Sequence, residues 1–255
     1  MNLQDAQHDA PTPWLIQCGA WLKILLHVIS GVCILCFFFP FISDRNKQHQ
    51  IQAWSKGLLA ILKIKLEVKG GQNLPSTPYL QVSNHISWLD IHVINAFRPI
   101  RFVAKSEVAS WPIFGWMAKQ LRTVFIRRDS SRHARQVVGQ VATVLKTESI
   151  CIFPEGTSTP GDSVLPFKPN LFESAAIAKI PVYPVAVEYL SRKTGERSYA
   201  PAFIGDMGLL ESMSLVIKNR HLQAQLTVLE PVNPISELDR KELARYCQEA
   251  IAQVL

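Results

Sequence analysis

With 255 residues the chain is long enough to bury a core and, once an N-terminal segment is set aside, to form one domain of catalytic size. Its formal charge of +7 is concentrated: between Arg98 and Arg135 stand nine Lys or Arg against two acids, a surplus equal to the whole net charge, so the stretch is either a solvated face or a site for an anionic partner. Five scattered cysteines exclude a disulfide framework, and no helix-turn-helix, zinc-finger spacing or aromatic RNA-binding strand points to nucleic acid.

The first element is the apolar run Ile24 to Ile42, "ILLHVISGVCILCFFFPFI", long enough at about 1.5 Å per residue to cross a bilayer core of about 30 Å. A cleaved signal peptide would have a shorter core, a basic flank before it and small residues after it. Here Asp5 and Asp9 precede the run and "SDR" follows it, which predicts a retained anchor. Only Lys23 lies at its leading edge, whereas Arg45, Lys47, Lys56, Lys63 and Lys65 follow, and basic residues collect on the cytoplasmic side. The expected arrangement is an anchor over residues 1–50 in the inner (cytoplasmic) membrane and a catalytic domain over 51–255 facing the cytoplasm. The segment from Ala53, "AWSKGLLAILKIKL", reads equally as a helix in the headgroup plane or an amphipathic core helix. Cys33 and Cys36 form a C-x-x-C inside the apolar run with no second ligand pair, and no metal is expected.

Beyond the anchor, short β-branched runs alternate with helical patterns, which predicts an α/β domain with a mixed, largely parallel central sheet flanked by helices. Strands are expected at "IKLEVKG" from Ile64, "YLQVS" from Tyr79, "RFVAK" from Arg101, "TVFIRR" from Thr123, "SICIFP" from Ser149, "VYPVAVEYL" from Val182 and "QAQLTVLE" from Gln223. Helices are expected over "SRHARQVVGQVATVLK", where Ala134, Val137, Val138, Val141 and Leu145 share a face, and over "FESAAIAK". At the end, Ser236 and Asp239 suggest a capping interaction opening a last helix whose apolar residues are Leu243, Tyr246, Cys247, Ala250 and Val254.

Two loops carry the candidate chemistry. "YLQVSNHISWLD" reads as a strand entering a helix, with Ser83 or Asn84 as the cap. His85 and Asp90 would stand about 140° apart on a straight helix, so they can meet only if His85 lies just outside its start. Such a pair is either structural or a base whose tautomer the carboxylate fixes. No G-x-S-x-G elbow or suitably placed cysteine supplies a nucleophile, so the hydroxyl to be activated would belong to the substrate. His92 has no comparable partner spacing and is expected to be a packing or surface residue. The second loop, "FPEGTSTPGD" from Phe153, offers a carboxylate, backbone amides and hydroxyls at a strand end, suited to a polar headgroup or to an ordinary Gly/Pro turn.

Taken together, these blocks resemble the glycerolipid acyltransferase family, of the bacterial lysophosphatidic acid acyltransferase type. "NHISWLD" is similar to its first block, and "KSEVASWPIFG" to its Lys-x-x-Leu-x-x-x-Pro-x-x-Gly segment. "RTVFIRR", "FPEGTST" and "IPVYPVAV" are similar to the second, third and fourth blocks. The resemblance implies an O-acyltransferase moving a fatty acyl group from acyl-CoA or acyl carrier protein to the free hydroxyl of a lysolipid, with no cofactor. It implies His85 as base, Asp90 as its orienting carboxylate, Lys105 and Arg128 on the anionic group, and Glu155, Gly156 and Thr157 at the headgroup pocket. The acceptor it implies is 1-acylglycerol-3-phosphate. The third block, however, continues with Ser158 and Thr159 where the phosphatidic acid enzymes carry Arg then Ser, which favours a lyso-ornithine lipid or another lysophospholipid. The alternative from a different class is a noncatalytic membrane lipid-binding module.

Overall fold

The seven β-branched runs become seven strands of one sheet in the computed structural model, which describes residues 12–127, 131–233 and 238–255. They are β1 Lys65–Lys69, β2 Leu80–Ser83, β3 Arg101–Lys105, β4 Val124–Ile126, β5 Ile150–Ile152, β6 Val182–Ser191 and β7 Leu222–Val228, in the order β1-β7-β6-β2-β5-β3-β4. Every neighbouring pair is parallel except β6 and β7, where Val185 faces Val228 and Ser191 faces Leu222. This is the mixed, largely parallel α/β architecture that the sequence predicts. The central strands β2 and β5 are buried at every residue, as a sheet covered on both faces requires.

Helices supply the two covers. On one face α2 (Asp44–Ile61), α3 (Leu89–Phe97) and α7 (Leu209–Lys218) bring Leu58, Val93 and Val216 onto the sheet. On the other, α5 (Ser131–Leu145), α6 (Glu173–Ala178) and α8 (Arg240–Ala252) bring Val141, Ala175 and Cys247. The sequence misplaces the start of α8. Asp239, not Ser236, is the N-cap: it accepts from the Lys241 and Glu242 amides while Glu242 returns a bond to the Asp239 amide. Ser236 lies outside the described residues. The buried stripe is Leu243, Ala244, Cys247 and Ile251, while the apolar Tyr246 and Val254 are exposed.

The anchor begins earlier than the apolar run suggested. Helix α1 spans Trp14–Cys33 and continues through a wide turn, Ile34–Phe38, and a tight one, Phe39–Phe41, that contains Pro40. One face, Trp21, Ile24, Val28, Gly31 and Leu35, repeats every three or four residues and packs on the body. The opposite face, with Leu15, Leu22, Leu25, Leu26 and Ile29, is equally apolar and bare. The stretch Trp14–Phe41 is long and apolar enough to cross a membrane, and only 17% of its most apolar window is buried, which separates it from a core helix of a soluble protein. Both ends of α1 touch the body. The Thr12 hydroxyl donates to the Lys218 carbonyl at the end of α7, and Met117 of α4 (Phe114–Gln120) lies against Gly31. Helix α2 runs without a break across position 50, and the segment from Ala53 is its second half, with Ser55, Leu58 and Leu59 buried.

His92 is a packing residue, as expected. Its ring sits between Trp54 of α2 and Trp88, with centroids 5.4 and 5.9 Å away, and its Nδ1 is buried without a hydrogen-bond partner. Burial, followed by the nearby His27, pushes its pKa down to about 4 from 6.5. The unfolded chain therefore binds a proton below pH 6.5 that the folded chain refuses until about pH 4. Stability is held above pH 6.5 and falls as the pH drops toward 4, by up to about 3 kcal/mol. Urea unfolding of the wild type and of His92→Leu at pH 7 and 4.5 should show the variant losing distinctly less on acidification; equal losses would remove His92 from the account.

Candidate active site

Strand β2 ends at Ser83 and α3 starts at Leu89, and the segment between them turns through a sharp bend. Asn84 pins its start, donating to the Val187 carbonyl at 2.9 Å and accepting from the Val187 amide at 2.8 Å. The expected cap at Ser83 or Asn84 is thus not the one used: Asn84 is spent on β6, and the buried Ser83 hydroxyl has no partner. Asp90 takes the role from inside the first turn. Its Oδ2 accepts from the Ile86 and Ser87 amides at 2.8 and 3.0 Å, which folds the loop back over the helix start.

That fold-back makes the pair. The same Oδ2 lies 2.8 Å from His85 Nδ1, and Oδ1 accepts from the Tyr189 hydroxyl of β6 at 2.7 Å. Four donors thus converge on a carboxylate with no exposed side-chain surface, while the imidazole keeps 23% of its surface open. Burial, then the adjacent Asp90, pushes the Tyr189 hydroxyl well above its usual range, so it stays protonated and donates. The imidazole is stacked on Phe153 at 4.2 Å, a ring that stacks in turn toward Phe102. With Nδ1 committed to Asp90 and the ring plane fixed, Nε2 is the nitrogen left to accept a proton.

The third block supports this loop from behind. Glu155 follows β5 and is buried; one oxygen accepts from the His85 amide at 2.7 Å and the other from the Leu165 amide at 2.9 Å. Burial pushes its carboxyl up, against the downward pull of the Leu165 and His85 amides. Both of its oxygens are thus spent on backbone amides, so Glu155 braces the histidine loop. Gly156 makes the turn at φ +75°, a conformation side chains disfavour, and delivers Thr157 and Ser158 to the groove wall. The Ser158 hydroxyl donates to the Phe203 carbonyl, and the Thr159 amide donates to the His85 carbonyl at 2.8 Å. Cys151 sits buried in β5 with its thiol pushed well up by burial and then by Asp90, unsuited to act as a nucleophile.

The histidine loop and the third block follow the C-terminal ends of the parallel strands β2 and β5, where α/β sheets place their sites. Lys105 ends β3 and Arg127 follows β4; both are exposed and line the same groove as His85. Arg122 also lines it, with Asp44 and Glu148 at 3.8 and 3.6 Å. Arg128 lies outside the described residues. The groove is a cavity of about 1340 Å³ lined also by Ile24 and Val28 of α1, Leu35 of the wide turn that follows it, and Trp54 of α2. Sequence reasoning missed Tyr189, Phe153 as a stacking floor, and the inward turn of Glu155. Nothing local in β6 marks the first, because Tyr183 and Ser191 of the same strand carry hydroxyls too.

Residues 65–188 match the protein-family model described as Acyltransferase. The chain is 37% identical over 210 residues to a lyso-ornithine lipid O-acyltransferase of Pseudomonas aeruginosa, covering 82% of this chain and 79% of that one. It is 32% identical over 247 residues to a 1-acyl-sn-glycerol-3-phosphate acyltransferase of Neisseria gonorrhoeae, covering 96% and 90%. Its fold is that of the crystal structure of a 1-acyl-sn-glycerophosphate acyltransferase from Thermotoga maritima, with a TM-score of 0.68, 24% identity and coverage of 94% and 93%. Identities above 30% along most of both chains, together with a family model that covers residues 65–188, leave a single conclusion: the protein belongs to the acyltransferase family.

Proposed function

We propose that the protein transfers a fatty acyl group from an acyl thioester, acyl-CoA or acyl carrier protein, to the free hydroxyl of a lysolipid, with 1-acylglycerol-3-phosphate as acceptor. The observation that carries this reading is the His85–Asp90 pair, at 2.8 Å, opening onto a groove half walled by an apolar anchor. His85 Nε2 takes the acceptor's hydroxyl proton as its oxygen attacks the thioester carbonyl. The tetrahedral adduct collapses with loss of the thiolate, which recovers the proton from the imidazolium, and Asp90 steadies that cation meanwhile. Lys105, Arg122 and Arg127 provide positive charge for the phosphate, and the anchor seats the body on the membrane where both lipids reside. The excess of Lys and Arg after the apolar run supports a cytoplasmic membrane location with the domain of residues 51–255 on the cytoplasmic side and residues 1–50 as the anchoring segment.

One observation favours a second reading. Ser158 stands where the phosphatidic acid enzymes carry an arginine, and its hydroxyl is engaged by the Phe203 carbonyl, so this loop offers no bidentate phosphate contact. That suits an acceptor without a terminal phosphate, and the Pseudomonas relative is named for lyso-ornithine lipid. A panel of lysolipids with one acyl thioester in purified membranes decides between them. Phosphatidic acid as the main product supports the first acceptor, diacylated ornithine lipid the second, and no transfer to any lysolipid defeats both.

A further inference from the structure

The segment between β3 and α4 contains the one β-branched residue with a positive φ among the described residues. Ile113 has φ +61° and ψ −61°, a conformation that costs a β-branched side chain about 1–3 kcal/mol and persists only when its surroundings impose it. The surroundings are visible. A short helical stretch, Ser106–Ser110, packs so tightly under Gly115 that a Cβ there would fall 2.6 Å from the Ala109 and Val108 carbonyls, and the Phe114 amide turns back to the Pro112 carbonyl at 2.6 Å. The tight turn holds Trp111 and Ile113 outward, 38% and 52% exposed, where a soluble fold would gain by burying them.

Two further observations say what this turn faces. Trp111 and Phe114 line the groove together with Leu35 and Phe39 of the anchor, and Met117 touches Gly31, so the turn stands beside the end of α1, where Phe37, Phe38 and Phe41 are 61% or more exposed. Around it, the exposed cations Lys105, Lys119, Arg122 and Arg127 outnumber the exposed acids Glu107 and Asp44, the latter near Arg122. An apolar projection ringed by basic residues and continuous with an apolar anchor has the chemistry of a contact with an anionic lipid surface.

We propose that the Trp111–Phe114 turn is a second membrane contact, a wedge whose Ile113 enters the acyl region of an anionic bilayer at the groove mouth, so that the groove opens between two lipid-facing elements. The proposal rests on the lysolipid reading above for its purpose but is read out without turnover. An acidic carrier protein is the competing occupant of the same cations; the exposed isoleucine and phenylalanines, which such a partner's charge would not call for, favour lipid.

The test uses the full chain with the exposed Cys18, Cys33 and Cys36 replaced by serine, and Ile113→Cys carrying an environment-sensitive fluorophore; Cys151 and Cys247 are buried. The protein is reconstituted in vesicles of phosphatidylcholine and phosphatidylglycerol with brominated acyl chains. The expected result is quenching by about half or more, a blue-shifted emission and protection from aqueous iodide, all weaker without phosphatidylglycerol. A control fluorophore at Thr194, in the exposed turn after β6, should respond to iodide alone. Emission that ignores brominated lipid while iodide quenches it freely overturns the wedge, as does a response to added acyl carrier protein in place of lipid. Should the wedge signal appear in a protein that acylates no lysolipid, the functional reading fails and the contact stands.

Discussion

Replacing His85 with alanine is expected to lower acyl transfer by about 10²–10⁴-fold, the range general-base catalysis contributes. The protein should stay folded, because the imidazole is partly open to the groove and its loss leaves Asp90 bonded to the Ile86 amide, the Ser87 amide and the Tyr189 hydroxyl. Cys151 is sealed in β5 with its thiol pushed up, so it cannot take over. Thioester consumption in purified membranes, with a melting curve of the same preparation, separates lost chemistry from lost structure. Unchanged turnover in a folded variant would falsify the catalytic role and leave a noncatalytic lipid-binding module as the better description.

The second large effect is at Asp90, where two substitutions should part company. Asp90→Asn can keep its carbonyl toward His85, Ile86 and Ser87 and turn its amide toward Tyr189, whose hydroxyl can accept as well as donate. The fold should hold while the charge that steadies the imidazolium disappears, with a loss of activity of about 10³–10⁴-fold. Asp90→Ala strips the acceptor from three buried donors besides the imidazole and should cost about 3–5 kcal/mol of stability in addition. Tyr189→Phe removes a single bond to a charged group, a stability change of about 1.5–3 kcal/mol, with activity between wild type and Asp90→Asn. Equal activity losses for Tyr189→Phe and Asp90→Asn would mean that the hydroxyl, not the charge, is the essential element.

Each of the seven strands was legible because each is a short β-branched run closed by a turn, and a sheet covered on both faces tolerates little else. The His85–Asp90 pair was legible for a local reason: five residues of separation fit only a helix start, and the structure puts it there. What escaped was carried by long-range contacts. Tyr189 reaches Asp90 across 99 positions, and Glu155 reaches the His85 amide across 70, and no spacing rule connects them. Asn84 looked like a cap because asparagine often is one, yet tertiary pairing with β6 claimed it first. The anchor was read from hydropathy alone, which marks Ile24 to Ile42 but is blind to the helix already under way from Trp14.

The groove's shared walls set a condition on any attempt to make the protein easier to handle. Since Ile24, Val28 and Leu35 line the same groove as His85, trimming away the apolar N-terminal segment would unroof that groove as well as remove the membrane-length helix. Such a trimmed enzyme would fail even toward a short-chain, freely dissolved lysolipid, and restoring it to a membrane through a foreign anchor would not bring it back.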